Sequence, residues 1–74
     1  MVNIQTNTYN SSTVEASTYD YQNKQLFVSF KHATYLYLNV EVEDYESFRN
    51  AESQGKAINE FIKPKYSFEK LEIV

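Results

Sequence analysis

Apolar positions along the chain recur first with a period of two and then every three or four residues, which predicts strands followed by helices. Residues 1–12 stand outside that pattern. They are rich in Asn, Thr, Ser and Gln and close on Asn10-Ser11-Ser12, so residues 1–10 are expected as a flexible leader and residues 11–74 as a single domain. Thr13, Val14, Thr18, Tyr19 and Tyr21 predict a first strand, ended by the polar Gln22-Asn23-Lys24. Two denser runs, Leu26 to Lys31 and Thr34 to Leu38, predict a hairpin turning at His32-Ala33. His-Ala is poor turn chemistry, because neither residue readily takes a positive φ.

After Val42, Tyr45, Phe48 and Ala51/Glu52 fall at helical spacing. Glu43, Asp44 and Glu46 crowd the first turn, where the helix dipole favours negative charge. Gly55, the single glycine, is expected to end this helix as a left-handed cap. Ile58, Phe61 and Ile62 mark one face of a second short helix that Pro64 stops. Tyr66, Phe68, Leu71 and Ile73 form an extended C-terminal tail that either adds an edge strand or packs on the helices. The expected fold class is α+β, a three-stranded antiparallel sheet followed by two short helices packed on one face.

Strand parity then sorts the side chains. With His32-Ala33 as a two-residue loop, Phe30 pairs with Tyr35 and Val28 with Tyr37, so Leu26, Val28, Phe30, Tyr35 and Tyr37 share the face on which helices would lie. Phe27, Leu36 and Leu38 emerge on the other face, which has no evident cover, and such patches mark interfaces. These three residues are the expected homodimer interface.

Composition narrows the function classes. A chain of 74 residues buries only about 60% of its unfolded surface, and with no cysteine it has neither disulfide nor thiolate metal site to reinforce a thin core. Hydrophobic residues make up 42%, too many for a disordered chain. No apolar run approaches membrane-spanning length, and the N-terminus has no signal-peptide pattern, so a cytoplasmic protein is expected. Ten acidic against seven basic side chains give a net charge of −3, the wrong sign for neutralising many phosphates, and direct nucleic-acid binding is disfavoured.

Candidate chemistry is sparse. His32 is the sole histidine and sits at a hairpin tip, so neither a metal site nor a Ser-His-Asp triad has the residues it needs; no cofactor is expected and the protein is read as non-enzymatic. Ser53-x-Gly55-Lys56 lacks the length and the strand-to-helix setting of a phosphate loop, and reads instead as a cap at Ser53, a turn at Gly55 and a backbone contact by Asn59. Seven tyrosines could stack on bases, but the cations to line such a platform are few. Arg49, Lys56, Lys63 and Lys65 are the candidate nucleic-acid strip. Glu41, Glu43, Asp44 and Glu46 form a run with no base among them. They are either a solvated helix start or a mimic of a phosphate backbone, steering the domain to a basic surface on another protein.

Several stretches together resemble the KTSC domain family, a module also found at the C-terminal end of some lysyl-tRNA synthetases. They are Ser11-Ser12-x-Val14, Tyr19-Asp20, Leu26-x-Val28-x-Phe30, Tyr35-x-Tyr37 and Ala51-x-Ser53-x-Gly55-Lys56-x-x-Asn59-x-x-Ile62, followed by Tyr66. The resemblance departs at His32-Ala33, where a Gly-containing turn is usual, at Glu41, where Pro is common, and at Ala57-Ile58, where a Tyr-Phe pair is usual. Free-standing members of bacteria and their phages imply a small phage-type protein working in the host cytoplasm. The acidic, free-standing form is similar to phage inhibitors of host machinery, including those that block the DNA sliding clamp. The resulting expectation is a homodimer that presents Glu41, Glu43, Asp44 and Glu46 to a basic protein partner such as that clamp, with an RNA- or tRNA-associated accessory domain as the alternative.

Overall fold

The computed structural model describes residues 3–71. Five strands, β1 (Ile4–Thr8), β2 (Val14–Asp20), β3 (Gln25–Phe30), β4 (Thr34–Tyr37) and β5 (Phe68–Leu71), pair antiparallel in chain order. Between β4 and β5 lie α1 (Val42–Arg49) and α2 (Gln54–Ala57), the latter continued by a π-helical turn over Ile58–Ile62. The class is α+β, but the sheet has five strands where the hydrophobic pattern predicts three.

Both extra strands are edges. An edge strand takes its backbone bonds from one neighbour and leaves its side chains half wet, so it needs no apolar alternation. Ile-Gln-Thr-Asn-Thr therefore forms β1 within the stretch expected as a leader, held by the register Ile4↔Asp20 to Thr8↔Ala16. The tail takes the edge-strand option as β5, whose residues pair from Thr34↔Leu71 to Tyr37↔Phe68. Ile73 lies outside the described residues.

The hairpin turns one residue earlier than expected. Phe30 N–H donates to Ala33 C=O at 2.8 Å, leaving Lys31-His32 as the loop. Val28 accordingly pairs with Tyr35 and Leu26 with Tyr37, two residues from the expected register. Because side chains alternate with a period of two, a slip of two leaves every one on its expected face. The β2–β3 turn is built by Asp20, whose carboxylate accepts from the Gln22 and Asn23 N–H groups, and by Lys24 at φ 55°.

Val14, Tyr19, Leu26, Val28 and Tyr37 from the sheet meet Val40, Tyr45 and Phe48 and, from the second helix, Ala57, Ile58 and Ile62, all 2% exposed or less. Tyr19 and Tyr45 stack with centroids 4.2 Å apart, and the Tyr19 hydroxyl donates to Val40 C=O at 2.6 Å. No helix among the described residues is long and apolar enough to cross a membrane.

Gly55 is not a left-handed cap. It has no positive φ and lies inside α2, where an added Cβ would come within 3.2 Å of Thr13 Oγ1. Its missing side chain lets the second helix approach the start of β2. The end of α1 is satisfied instead by buried Gln54, whose amide donates to Ala51 C=O at 2.8 Å and to Arg49 C=O at 3.3 Å. Pro64, without an N–H to extend the ladder, follows the π turn, whose last bond runs from Lys63 N–H to Ile58 C=O.

Candidate functional site

The acidic run lies over the start of α1, and the fold uses most of it internally. Glu41 pairs with Lys24 of the β2–β3 turn at 3.3 Å. Asp44 pairs with Lys65 at 3.1 Å and accepts a short hydrogen bond from the Tyr66 hydroxyl, which in turn accepts from Glu41 N–H at 3.2 Å. Glu46 pairs with Arg49 at 3.0 Å and accepts from the Tyr21 hydroxyl at 3.3 Å. These contacts hold the Asp44 and Glu46 carboxyls below their ordinary pKa values, through the Tyr66 hydroxyl for Asp44 and the Arg49 guanidinium for Glu46. Of the four carboxylates, Glu43 alone has no ion pair among the described residues.

Two of the four residues of the basic strip are likewise engaged within the fold. Arg49 and Lys65 are committed to Glu46 and Asp44, while Lys56 is exposed on α2, whose first turn is capped by the Ser53 hydroxyl accepting from Lys56 N–H at 3.4 Å. Lys63 holds its ammonium 5.8 Å from the centre of the Phe30 ring.

Within the stretch from Ala51 to Tyr66, which carries the most characteristic part of the family resemblance, most of the matching residues have structural roles. Ser53 starts α2, Gln54 closes α1, Gly55 makes room for Thr13, and Asn59 Nδ2 donates to Gly55 C=O at 3.0 Å. Ile62 is fully buried, and Tyr66 latches the start of α1. These residues of the pattern specify how the helices dock.

Two further surfaces stand out among the described residues. The first is the sheet face turned away from the helices. Its cross-strand rows run Thr6, Thr18, Phe27, Leu36, Glu69 and Thr8, Ala16, Ser29, Thr34, Leu71, with Ile4, Asp20 and Gln25 at one end. Phe27 and Leu36, two of the expected interface residues, are direct neighbours at its centre, and Leu38 continues the same alternation just past β4. Ile4 is 51% exposed at its rim. The charged members of these rows, Asp20 and Glu69, lie at the β2–β3 turn and on the edge strand.

The second is an open pocket of about 230 Å³ on the helix side, lined by Phe30, His32, Ala33, Tyr35, Lys63 and Lys70. The helices stop short of β5, leaving Phe68 55% exposed and stacked on Tyr35 with centroids 5.2 Å apart. Lys70, the cross-strand partner of Tyr35, joins Lys63 here. Nothing in the sequence pairs those two lysines, because the contact exists only once the tail adds β5. Among the described residues no group of three or more His, Asp or Glu side chains could hold a metal.

A family model described as KTSC domain matches residues 10–66. The chain belongs to the KTSC domain family. It is 39% identical over 57 residues to a protein of Tsukamurella paurometabola, covering 76% of this chain and 85% of the relative. The crystal structure of a KTSC domain protein from Yersinia pestis superposes with a TM-score of 0.86 at 30% identity, covering 95% of this chain and 100% of that one. This KTSC domain therefore shares its fold with that chain over nearly its full length.

Proposed function

We propose that this KTSC domain is a non-catalytic binding module that pairs with a second copy of itself through the open sheet face. The observation that carries the reading is the charge distribution. The chain has a net charge of −3, so two copies repel over most of their surfaces, yet the open face is built of Thr, Ser, Ala, Phe and Leu with Asp20 and Glu69 only at its margins. It is the side on which two like-charged molecules meet with least repulsion and most apolar contact. With strands about 4.8 Å apart and about 3.4 Å per residue, the face has a footprint of roughly 24 by 17 Å, or about 800 Å² over both copies, below the range of stable interfaces, so the dimer should be weak and dissociate on dilution.

Sedimentation velocity across a concentration series tests this. The wild-type chain should pass from monomer to dimer, whereas Leu36→Glu, which adds a charge to an already wet face, should stay monomeric with an unchanged circular dichroism spectrum. A wild-type chain that remains monomeric at the highest concentration rejects the dimer.

A dimer would place net −6, twice −3, on one particle and so favour a basic partner. The finer reading, in which Glu41, Glu43, Asp44 and Glu46 imitate DNA against a basic surface such as that of the sliding clamp, has less support, since three of the four are tied to Lys24, Lys65 and Arg49. Glu43→Lys is its cleanest probe, because it leaves the Tyr66 latch intact. Partner binding unaffected by this variant and by salt would set the charge-mimicry reading aside.

A further inference from the structure

We infer that the pocket between the β3–β4 turn, the end of the second helix and β5 binds a small planar anion, with its ring on the Phe30 and Tyr35 side chains and its acidic group between Lys63 and Lys70. Three observations converge on this. The pocket is lined by two lysines and His32 and by no carboxylate, and neither lysine has an ion pair among the described residues. On a chain of net −3, whose Lys24, Lys65 and Arg49 are all paired, two ammonium groups with no ion pair among the described residues form a local anion trap at one concavity.

The walls are aromatic. Phe30 meets Tyr35 edge to face at 5.3 Å, Tyr35 stacks on Phe68, and Lys63 already lies over the Phe30 ring. A flat ring can join this rank while its charged substituent replaces the water around the two ammonium groups. Size sets the limit. At about 230 Å³ the pocket falls below the range typical of drug-sized ligands, so it accepts one ring system with one acidic group. The overall negative charge disfavours a longer phosphate chain running out across the surface. An aryl phosphate and a nucleoside monophosphate share this chemistry.

The site lies on the opposite side of the sheet from the proposed dimer contact, and its test does not depend on that contact. The ¹⁵N-labelled full chain would be titrated separately with phenyl phosphate, a nucleoside monophosphate and inorganic phosphate. Saturable shifts should gather on the amides of His32, Ala33, Tyr35 and Lys70 with both ring-bearing anions, inorganic phosphate should bind at least about tenfold more weakly, and Lys63→Ala with Lys70→Ala should weaken the ring-bearing anions by at least about tenfold. Both lysines are exposed, so the double variant should keep its fold. Whichever ring-bearing anion binds tighter names the source. Absence of saturable shifts, equal binding of inorganic phosphate, or shifts unchanged in the double variant would overturn the proposal.

Discussion

Tyr37 is buried completely, and its hydroxyl has no hydrogen-bond partner among the described residues, while the other fully buried tyrosines, Tyr19 and Tyr45, bond to Val40 C=O and to Gln5 and Asn7. A buried polar group left unpaired costs on the order of 1–3 kcal/mol, so removing it should recover part of that penalty. Tyr37→Phe is therefore expected to leave stability unchanged or raise it by about 1 kcal/mol, read as the midpoint of urea unfolding. A loss above that size would mean that the hydroxyl has a partner. At the same scale, Asn7 and Gln5 show why polarity in the N-terminal stretch misleads. Each points from the edge strand toward the helix side and there satisfies Tyr45, and Tyr9 bonds to buried Ser17 at 2.7 Å. Their polarity serves the interior.

Among the elements, α1 depends most on charged contacts. Its apolar face is narrow, with only Tyr45 and Phe48 buried, and Glu41 offers no side-chain cap. Asp44 compensates by gripping Tyr66 and Lys65 from beyond the second helix. The Tyr66 hydrogen bond, aided by Lys65, lowers the Asp44 pKa from 3.8. A carboxyl with a depressed native pKa stabilises the fold above its unfolded pKa, and the contribution drains away as the pH falls through the native value. Acid unfolding followed by circular dichroism should thus begin below about pH 4, with Glu46 contributing the same sign through Arg49. Asp44→Asn should cost about 1 kcal/mol at neutral pH, discounted for partial exposure, and should flatten the acid limb. An acid limb identical to wild type would remove Asp44 from the account.

For the whole molecule the tyrosines set the alkaline limit. Burial raises Tyr19, Tyr37 and Tyr45 to about 12 each from 10.0. Raised native values mean that stability is fully present below pH 10 and falls as the pH climbs toward 12. Phenolate absorbance should therefore show these three ionising only together with loss of the native circular dichroism signal. Early, independent titration of all seven tyrosines would contradict the packed core. At this scale the sheet also has two distinct sides: one buried under helices near β2 and β3 but bare at β5, the other open across all five strands.

Much of this was legible beforehand because it follows from local periodicity. The alternation from Leu26 to Leu38 determined which side chains share a face, and a two-residue error in register could not disturb it. Ser53 as a cap, Asn59 as a backbone partner and Pro64 as a stop were likewise written in local chemistry. What depended on distant contacts was not readable. Edge strands of Ile-Gln-Thr-Asn-Thr and Phe-Glu-Lys-Leu acquire their structure only from a neighbour, Gly55 answers to Thr13 across the fold, and the acidic run is neutralised by bases from separate elements. The sequence alone determined the alternation of faces and the class of fold. Tertiary pairing decided which charges remain available and where a pocket opens, because ion pairs and concavities depend on where the chain returns in space.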